Sequence, residues 1–453
     1  MRVARGWQFF MHPGPTNIPH RVLQAMQRPA VDFTGPEFVA LRDRSLERLK
    51  GVLKTKQGFI IAYAASGHGA WDASIANLFS PGDKVLVCQA GFFSENWSIT
   101  ARQYGVEVES VETPERRAID PDAVAERLAA DKGHTIKAVL ISQNETATGM
   151  RHPVAEVRAA IDRVKHPALY LVDTISSLVS YDFRMDEWGV DLVIGGSQKG
   201  LMMPPGMSFT AINARAWEAA QKSRNSRRYW DWRPMVEEGK QVRFCGTAPI
   251  PYFYGLEAAL DMIEEEGLEN VFARHRRLAQ ATRACVRAWG AVASRSGGLE
   301  IWPLDAEAAS DSLTAVLVPA GHDADTLRTI ASDRYSVALG RGLASLQGRV
   351  FRIGHMGDLN EPMLLGALGG IELALAEAGM PHARGGVDAA MDALRAPAAQ
   401  GLAEGKLATV HEQQPENTMT NHSKMVQTRR RKQKAAKKRV KAAKRAAKAT
   451  KKS

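Results

Sequence analysis

The chain has 453 residues, 45% hydrophobic and 24% charged, with 60 Lys+Arg against 49 Asp+Glu and a formal charge of +11. This composition excludes collagen-like, wholly disordered and disulfide-stapled classes and leaves room for two or three domains with a sizeable core. The charge is local: fourteen Lys/Arg and no acid lie between Thr428 and the C-terminus, so residues 1–427 carry −3 and the basic character belongs to a tail.

The N-terminal stretch MRVARGWQFFMHPGPT reaches Pro13 and Pro15 before any apolar run long enough for a signal peptide. Short apolar runs follow in order: FIIAY (59–63), KVLVC (84–88), KAVLIS (137–142), LYLVD (169–173), VDLVI (190–194) and MSFTAI (207–212). Helical patterns with early acids and late bases separate them, such as DPDAVAERLAADKG and HPVAEVRAAIDRVK. Apolar runs that do not alternate imply strands covered on both faces, hence an α/β fold with a mostly parallel sheet. Helices are expected from about 254 to 289. A smaller unit then carries SLTAVLV (312–318), a helix in DADTLRTIASDR, VFRI (350–353) and a closing helix from 362 to 378.

The expected organisation is an N-terminal segment (1–20), a large α/β domain (21–265), a small α+β domain (266–380), a flexible linker (381–427) holding at most a short helix in VDAAMDALRA, and a basic tail (428–453). No apolar stretch approaches the roughly 18 residues of a membrane span. Cys88, Cys245 and Cys285 have no spacing suited to zinc or a disulfide framework. A soluble, cytoplasmic protein without a metal site is expected.

Ligands of open parallel sheets bind at the carboxyl ends of the strands, so the polar residues after each apolar run are the candidates. Ser66, Gly67 and His68 (SGHG, to Gly69) open a helix after FIIAY, where free N–H groups favour a phosphate, although a plain strand-to-helix turn reads the same. Asp173 ends a buried strand and needs a cationic partner, unless it is an N-cap or part of a core salt bridge. Lys199 sits in GGSQKG (195–200), a glycine-bracketed turn followed by Pro204, Pro205 and Gly206; a positioned amine requires such a backbone, but a solvated lysine is the plainer alternative. Arg352, flanked by Val350, Phe351 and Ile353, calls for a carboxylate or phosphate from the protein or a substrate. Phosphate cradle, strand-end acid, positioned lysine and buried arginine together are what pyridoxal 5'-phosphate needs to act as an electron sink.

The motifs PGPTNIP (13–19), ASGHGAWDASIANLFSPGD (65–83), QNETATG (143–149), LVDTISSL (171–178), DEWGVDLVIGGSQKGLMMPPG (186–206), YWDWRPM (229–235), GLENVFARH (267–275) and RIGHMGDLNE (352–361) resemble those of the class V aminotransferases of fold type I. Within that family they resemble the serine, alanine and aspartate:glyoxylate enzymes, over about 8–380. The resemblance implies that Lys199 holds the cofactor covalently and then shuttles the substrate proton, and that Asp173 pairs with the pyridine nitrogen. It implies that Ser66, Gly67, His68 and Gln198 bind the phosphate with Thr247 of a second subunit. Thr146 would approach the ring oxygen, Phe93 would stack on the ring, Ile175 would line the cofactor site, and Arg352 would clamp the substrate carboxylate. A homodimer with shared active sites, acting on small amino and oxo acids, is implied.

Two departures bear on substrate. FCGTAP (244–249) places Gly246 where such relatives have a tyrosine near the phosphate, so that Tyr252 or Tyr254 compensates or the site is roomier. ALGRGLA places Arg341 where close relatives have a small or uncharged residue; facing the pocket it would suit a dicarboxylic substrate, facing solvent it is a surface charge. A pyridoxamine-pyruvate sister group has an acid at the position of His68, which speaks against free pyridoxamine as substrate. The leading expectation is amino-group transfer from serine to glyoxylate. The alternatives are another donor or acceptor (alanine, aspartate, pyruvate), a lyase or desulfurase, for which no cysteine sits in a catalytic loop, or non-specific nucleic-acid binding through the tail. The tail could also be a fused segment, since MVQTRRRKQK from Met425 reads like the start of a separate chain.

Overall fold

The computed structural model describes residues 6–292 and 297–395. A seven-stranded sheet runs in the order Phe59–Tyr63, Ser208–Ile212, Leu192–Gly196, Leu169–Asp173, Ile136–Ser142, Lys84–Gln89 and Glu107–Glu112. Neighbours are parallel, except that Ser208–Ile212 is antiparallel to both strands beside it. Successive residues of one strand enter opposite cores. Ile60, Ala62, Leu86 and Cys88 pack on one face, while Ile61, Tyr63, Val85 and Val87 pack on the other. Two covered faces therefore explain why the apolar runs do not alternate.

The first face is closed by helices Pro36–Val52 and Ile250–Glu266 through Phe38, Leu41, Leu49, Phe253 and Leu256. The second is closed by Gly67–Leu78 and Phe92–Gln103 through Trp71, Ile75 and Trp97. Strand Glu107–Glu112 is the sheet edge and reads EVESVE; Glu107 and Glu112 are exposed, Glu109 pairs with Lys84 and Arg127, and Val111 is its one buried residue, as suits an edge kept from pairing further.

A second sheet has the order Phe9–Met11, Val337–Arg341, Val350–Gly354, Leu313–Leu317 and Glu300–Ile301. Its first strand comes from the chain's N-terminal segment and pairs in parallel with the 337–341 strand, Phe9 opposite Val337. Helices Leu268–Gly290, Ala324–Tyr335 and Glu361–Glu377 cover this sheet through Leu278, Leu327, Leu364 and Leu368.

The segment expected to be a flexible linker is partly helical and packed. Gly386–Arg395 forms a helix with Ala390 buried, lying on Leu268–Gly290. Gly386 approaches Trp289 so closely that a Cβ there would lie 2.1 Å from the indole nitrogen. The small residues that made this stretch look unstructured are what permit the approach. Residues 396–427 and the basic tail lie outside the described residues. Among the described residues no helix is long and apolar enough to cross a membrane.

Candidate active site

Three strand ends and two helix starts meet at one cavity of about 230 Å³. Asp173 closes strand Leu169–Asp173, and Lys199 follows strand Leu192–Gly196 by three residues. The helix that opens after Phe59–Tyr63 contributes Gly67, His68 and Trp71; the one after Lys84–Gln89 contributes Phe93. Asn144, Thr146, Ile175, Ser176, Gln198, Pro205 and the loop Gly14–Pro15 complete the lining.

Asp173 is 6% exposed; its Oδ1 accepts from the Ile175 amide at 2.7 Å and its Oδ2 from the Trp71 indole at 3.2 Å. Two neutral donors do not offset the loss of water, and burial pushes this carboxyl up to about 7. It is neither an N-cap nor one half of an ion pair. Lys199 is 8% exposed, and its Nζ donates to the Pro13 carbonyl at 2.6 Å. Burial, reinforced by the Arg352 guanidinium and opposed by Asp173, lowers its pKa to about 7. An amine in that range is substantially neutral near pH 7 and can accept a proton.

Ser66 is the N-cap of Gly67–Leu78, is exposed and makes no side-chain capping bond. The amides of Gly67 and His68 have no partner among the described residues, so the helix opens with free donors. Gly67 leaves space that any side chain would fill: a Cβ would lie 2.4 Å from Ile175 Cδ1. His68 rests 4.4 Å from the Trp71 ring, and partial desolvation lowers its pKa. The Gln198 Oε1 is buried without a hydrogen-bond partner. Free amides, an orphaned buried acceptor, an uncompensated buried acid and a neutral lysine around one cavity fit a cofactor that brings phosphate, a ring cation and a carbonyl.

Arg352 does not line this cavity but stands beside it, 4% exposed. Its Nε donates to Arg341 O at 2.8 Å and its Nη1 to Thr146 O at 2.8 Å; Nη2 has no partner among the described residues. Burial lowers its pKa to about 10, still far above neutrality. A guanidinium anchored by two carbonyls, with one edge unused, suits a carboxylate.

The other expected residues are distributed as follows. Thr146 lines the cavity, and its hydroxyl donates to Ser176 Oγ at 2.7 Å. Thr247 lies outside the cavity. The Arg341 side chain is exposed and outside the lining; the contact it offers the site is its backbone oxygen. Tyr252 donates to Pro205 O at 2.8 Å, and Tyr254 is buried beneath Arg28; neither lines the cavity. Sequence reasoning missed Trp71, Glu145 and the Pro13 carbonyl. The motifs AWDAS, QNETATG and PGPT contain them, but nothing in the spacing announces contacts across 102 and 186 residues.

The chain matches the family described as Aminotransferase class-V over residues 8–345 and belongs to it. It is 42% identical over 384 residues to the L-aspartate–glyoxylate aminotransferase of Paracoccus denitrificans, covering 84% of this chain and 95% of the relative. It is 43% identical over 389 residues to the serine–glyoxylate aminotransferase of Methylorubrum extorquens, covering the same shares. Among solved structures, the ureidoglycine-glyoxylate aminotransferase of Bacillus subtilis superposes with a TM-score of 0.79 at 26% identity, covering 87% of this chain and 99% of that one. The protein is thus an aminotransferase of fold type I, and its cofactor is pyridoxal 5'-phosphate.

The bound cofactor supplies an electron sink that acidifies the Cα–H of an amino acid. The protein's own contributions follow from the geometry. With the cofactor bound, the Gly67 and His68 amides would face its anionic group and the uncompensated Asp173 its ring cation. Lys199, beside the Pro13 carbonyl, could hold a proton as a base, and Arg352 would have Nη2 left for a carboxylate, while the Trp71 and Phe93 rings line the same cavity.

Proposed function

We propose that the protein transfers the amino group of a small L-amino acid, serine first, to glyoxylate, giving glycine and an oxo acid in two successive half-reactions at one site. The observation that carries the acceptor is that two relatives above 40% identity, covering 84% of this chain, use different donors but share glyoxylate. A monocarboxylic donor is favoured because, among the described residues, Lys199 is the only Lys or Arg lining the cavity, and Arg341, which would suit a second carboxylate, is exposed and outside the lining.

In this reading Lys199, Asp173, the 66–68 turn, Phe93, Thr146, Ile175, Gln198 and Arg352 take the roles set out above, and two protomers share their sites. The position of Thr247 outside the cavity supports its being offered to a partner. A lyase or desulfurase is disfavoured, because Cys88 is buried with its thiol pushed up to about 12, Cys285 is also buried, and Cys245 lies outside the cavity. The unpaired cysteines go with a cytoplasmic location.

Single-turnover reaction of the purified holoenzyme with serine, alanine, aspartate and pyridoxamine, read by loss of the cofactor's visible band, tests the donor. Serine is expected to bleach the band fastest and glyoxylate to restore it; a band untouched by every amino acid overturns the reading. The charge of residues 428–453 supports a second, separate role in non-specific nucleic-acid binding. Removing residues 416–453 is expected to leave transamination unchanged and to abolish retention on DNA at low salt; retention that survives removal refutes that role.

A further inference from the structure

A buried carboxylate outside the expected set joins two walls of the site. Glu145 is wholly buried, in the short strand Asn144–Glu145. Its Oε2 accepts from the Phe93 and Ser94 amides at 3.1 and 3.2 Å, and its Oε1 from the Ala147 amide at 3.0 Å. The first two donors belong to the opening turn of helix Phe92–Gln103, where a negative charge meets the helix dipole. Gly91, at φ +155°, makes the seat possible: a Cβ there would lie 2.8 Å from Glu145 Cγ.

Among the described residues no lysine or arginine touches this carboxylate. It is held by backbone alone, an arrangement that fixes position rather than forming an ion pair. On one side it sets the turn that presents Phe93 to the cavity. On the other it precedes Thr146, whose carbonyl anchors Arg352 Nη1. Across the intervening space it is the main anion that offsets Arg352, and it opposes ionisation of Asp173.

We propose that Glu145 is a positioning residue that locks the Phe93 wall and the Thr146 anchor of Arg352 into one unit, so that cofactor affinity and carboxylate binding depend on it together. The proposal rests on the cofactor and on the roles given to Phe93 and Arg352, not on the identity of donor or acceptor.

The test is Glu145→Gln, which keeps the shape but turns an amide N–H against an N–H donor. Cofactor affinity is measured by titrating apoprotein, and KM and kcat are measured on saturated enzyme. Glu145→Gln is expected to weaken cofactor binding about tenfold, to raise KM for the oxo acid about tenfold and to change kcat less. In a cycle with Phe93→Ala, the double variant is expected to bind cofactor no more weakly than the worse single one. If Glu145→Gln fails to fold, Gly91→Ala displaces the carboxylate without removing it and is expected to act in the same direction. Lowered thermal stability with cofactor affinity and KM within twofold of the parent, or losses that multiply in the double variant, overturn the proposal. Failure of glyoxylate as acceptor leaves the cofactor titration readable, so the two readings fail separately.

Discussion

The Nζ of Lys199 lies 2.6 Å from the carbonyl oxygen of Pro13, a residue of the chain's own N-terminal segment. The same segment donates the Thr16 hydroxyl to Lys199 O at 3.0 Å. The lysine is thus held at both its backbone and its amine by residues that lead out of the second sheet. In the proposed reaction, replacing it removes the proton carrier while leaving the carboxylate clamp.

Lys199→Ala is therefore expected to lower the single-turnover rate with saturating amino acid by roughly 10²–10⁴-fold, the range of general acid–base catalysis. The cofactor's visible band should also wash out on gel filtration. Cycling with glyoxylate at more than a few per cent of the parent rate would refute the role.

The two groups displaced to about 7 work in opposite senses in cofactor-free protein. The raised Asp173 contributes stability fully present below about 3.8 and lost as pH rises through 7. The lowered Lys199 contributes stability present above about 10.5 and lost as pH falls toward 7. Both contributions are at their lowest near pH 7. The rise in melting temperature on adding cofactor is therefore expected to peak there, on the order of 5 °C above its value at either extreme. Thermal unfolding of apo- and holoprotein from pH 4 to 10 checks this, and a gain smallest near pH 7 contradicts it.

Arg352→Ala should raise KM for both amino donor and oxo acid by roughly 10–100-fold, the weight of a charge-assisted hydrogen bond, with kcat falling less. Arg352→Lys should recover little, because an ammonium cannot hold Arg341 O and Thr146 O and still present an edge. Steady-state kinetics with both variants decide it; full rescue by lysine would show that charge alone matters.

At position 341 the geometry assigns the work to the backbone. Arg341→Ala keeps the carbonyl that holds Arg352 and removes an exposed side chain, so the ranking of serine, alanine and aspartate should stay within about threefold of the parent. A selective loss with aspartate would place that side chain in the site.

The large sheet was legible where strands are covered on both faces, since continuous apolar runs have few other uses. The edge strand Glu107–Glu112 was missed because one pairing partner and one wet side remove that signature. Phe9–Met11 escaped notice because three residues carry no period, and its partner lies more than three hundred residues away. Among site residues, those singled out by chemistry next to strand ends, Lys199 and Asp173, face one cavity. Trp71 and Glu145 act through a ring nitrogen and through backbone donors. Each would pass in sequence for an ordinary core aromatic and a helix-side acid, and only the fold brings their partners to them.

The pairing of Phe9 with Val337 also bears on how the protein is made. During synthesis at roughly 5–20 residues per second, the first strand emerges on the order of 20–60 s before its partner. The large sheet, complete by Ile212, has that interval to form while the 9–16 segment still lacks its dock. Until that dock forms, the segment that carries Pro13 and Thr16 has no second sheet to hold it against Lys199, so the last contacts the lysine receives come from the first residues made.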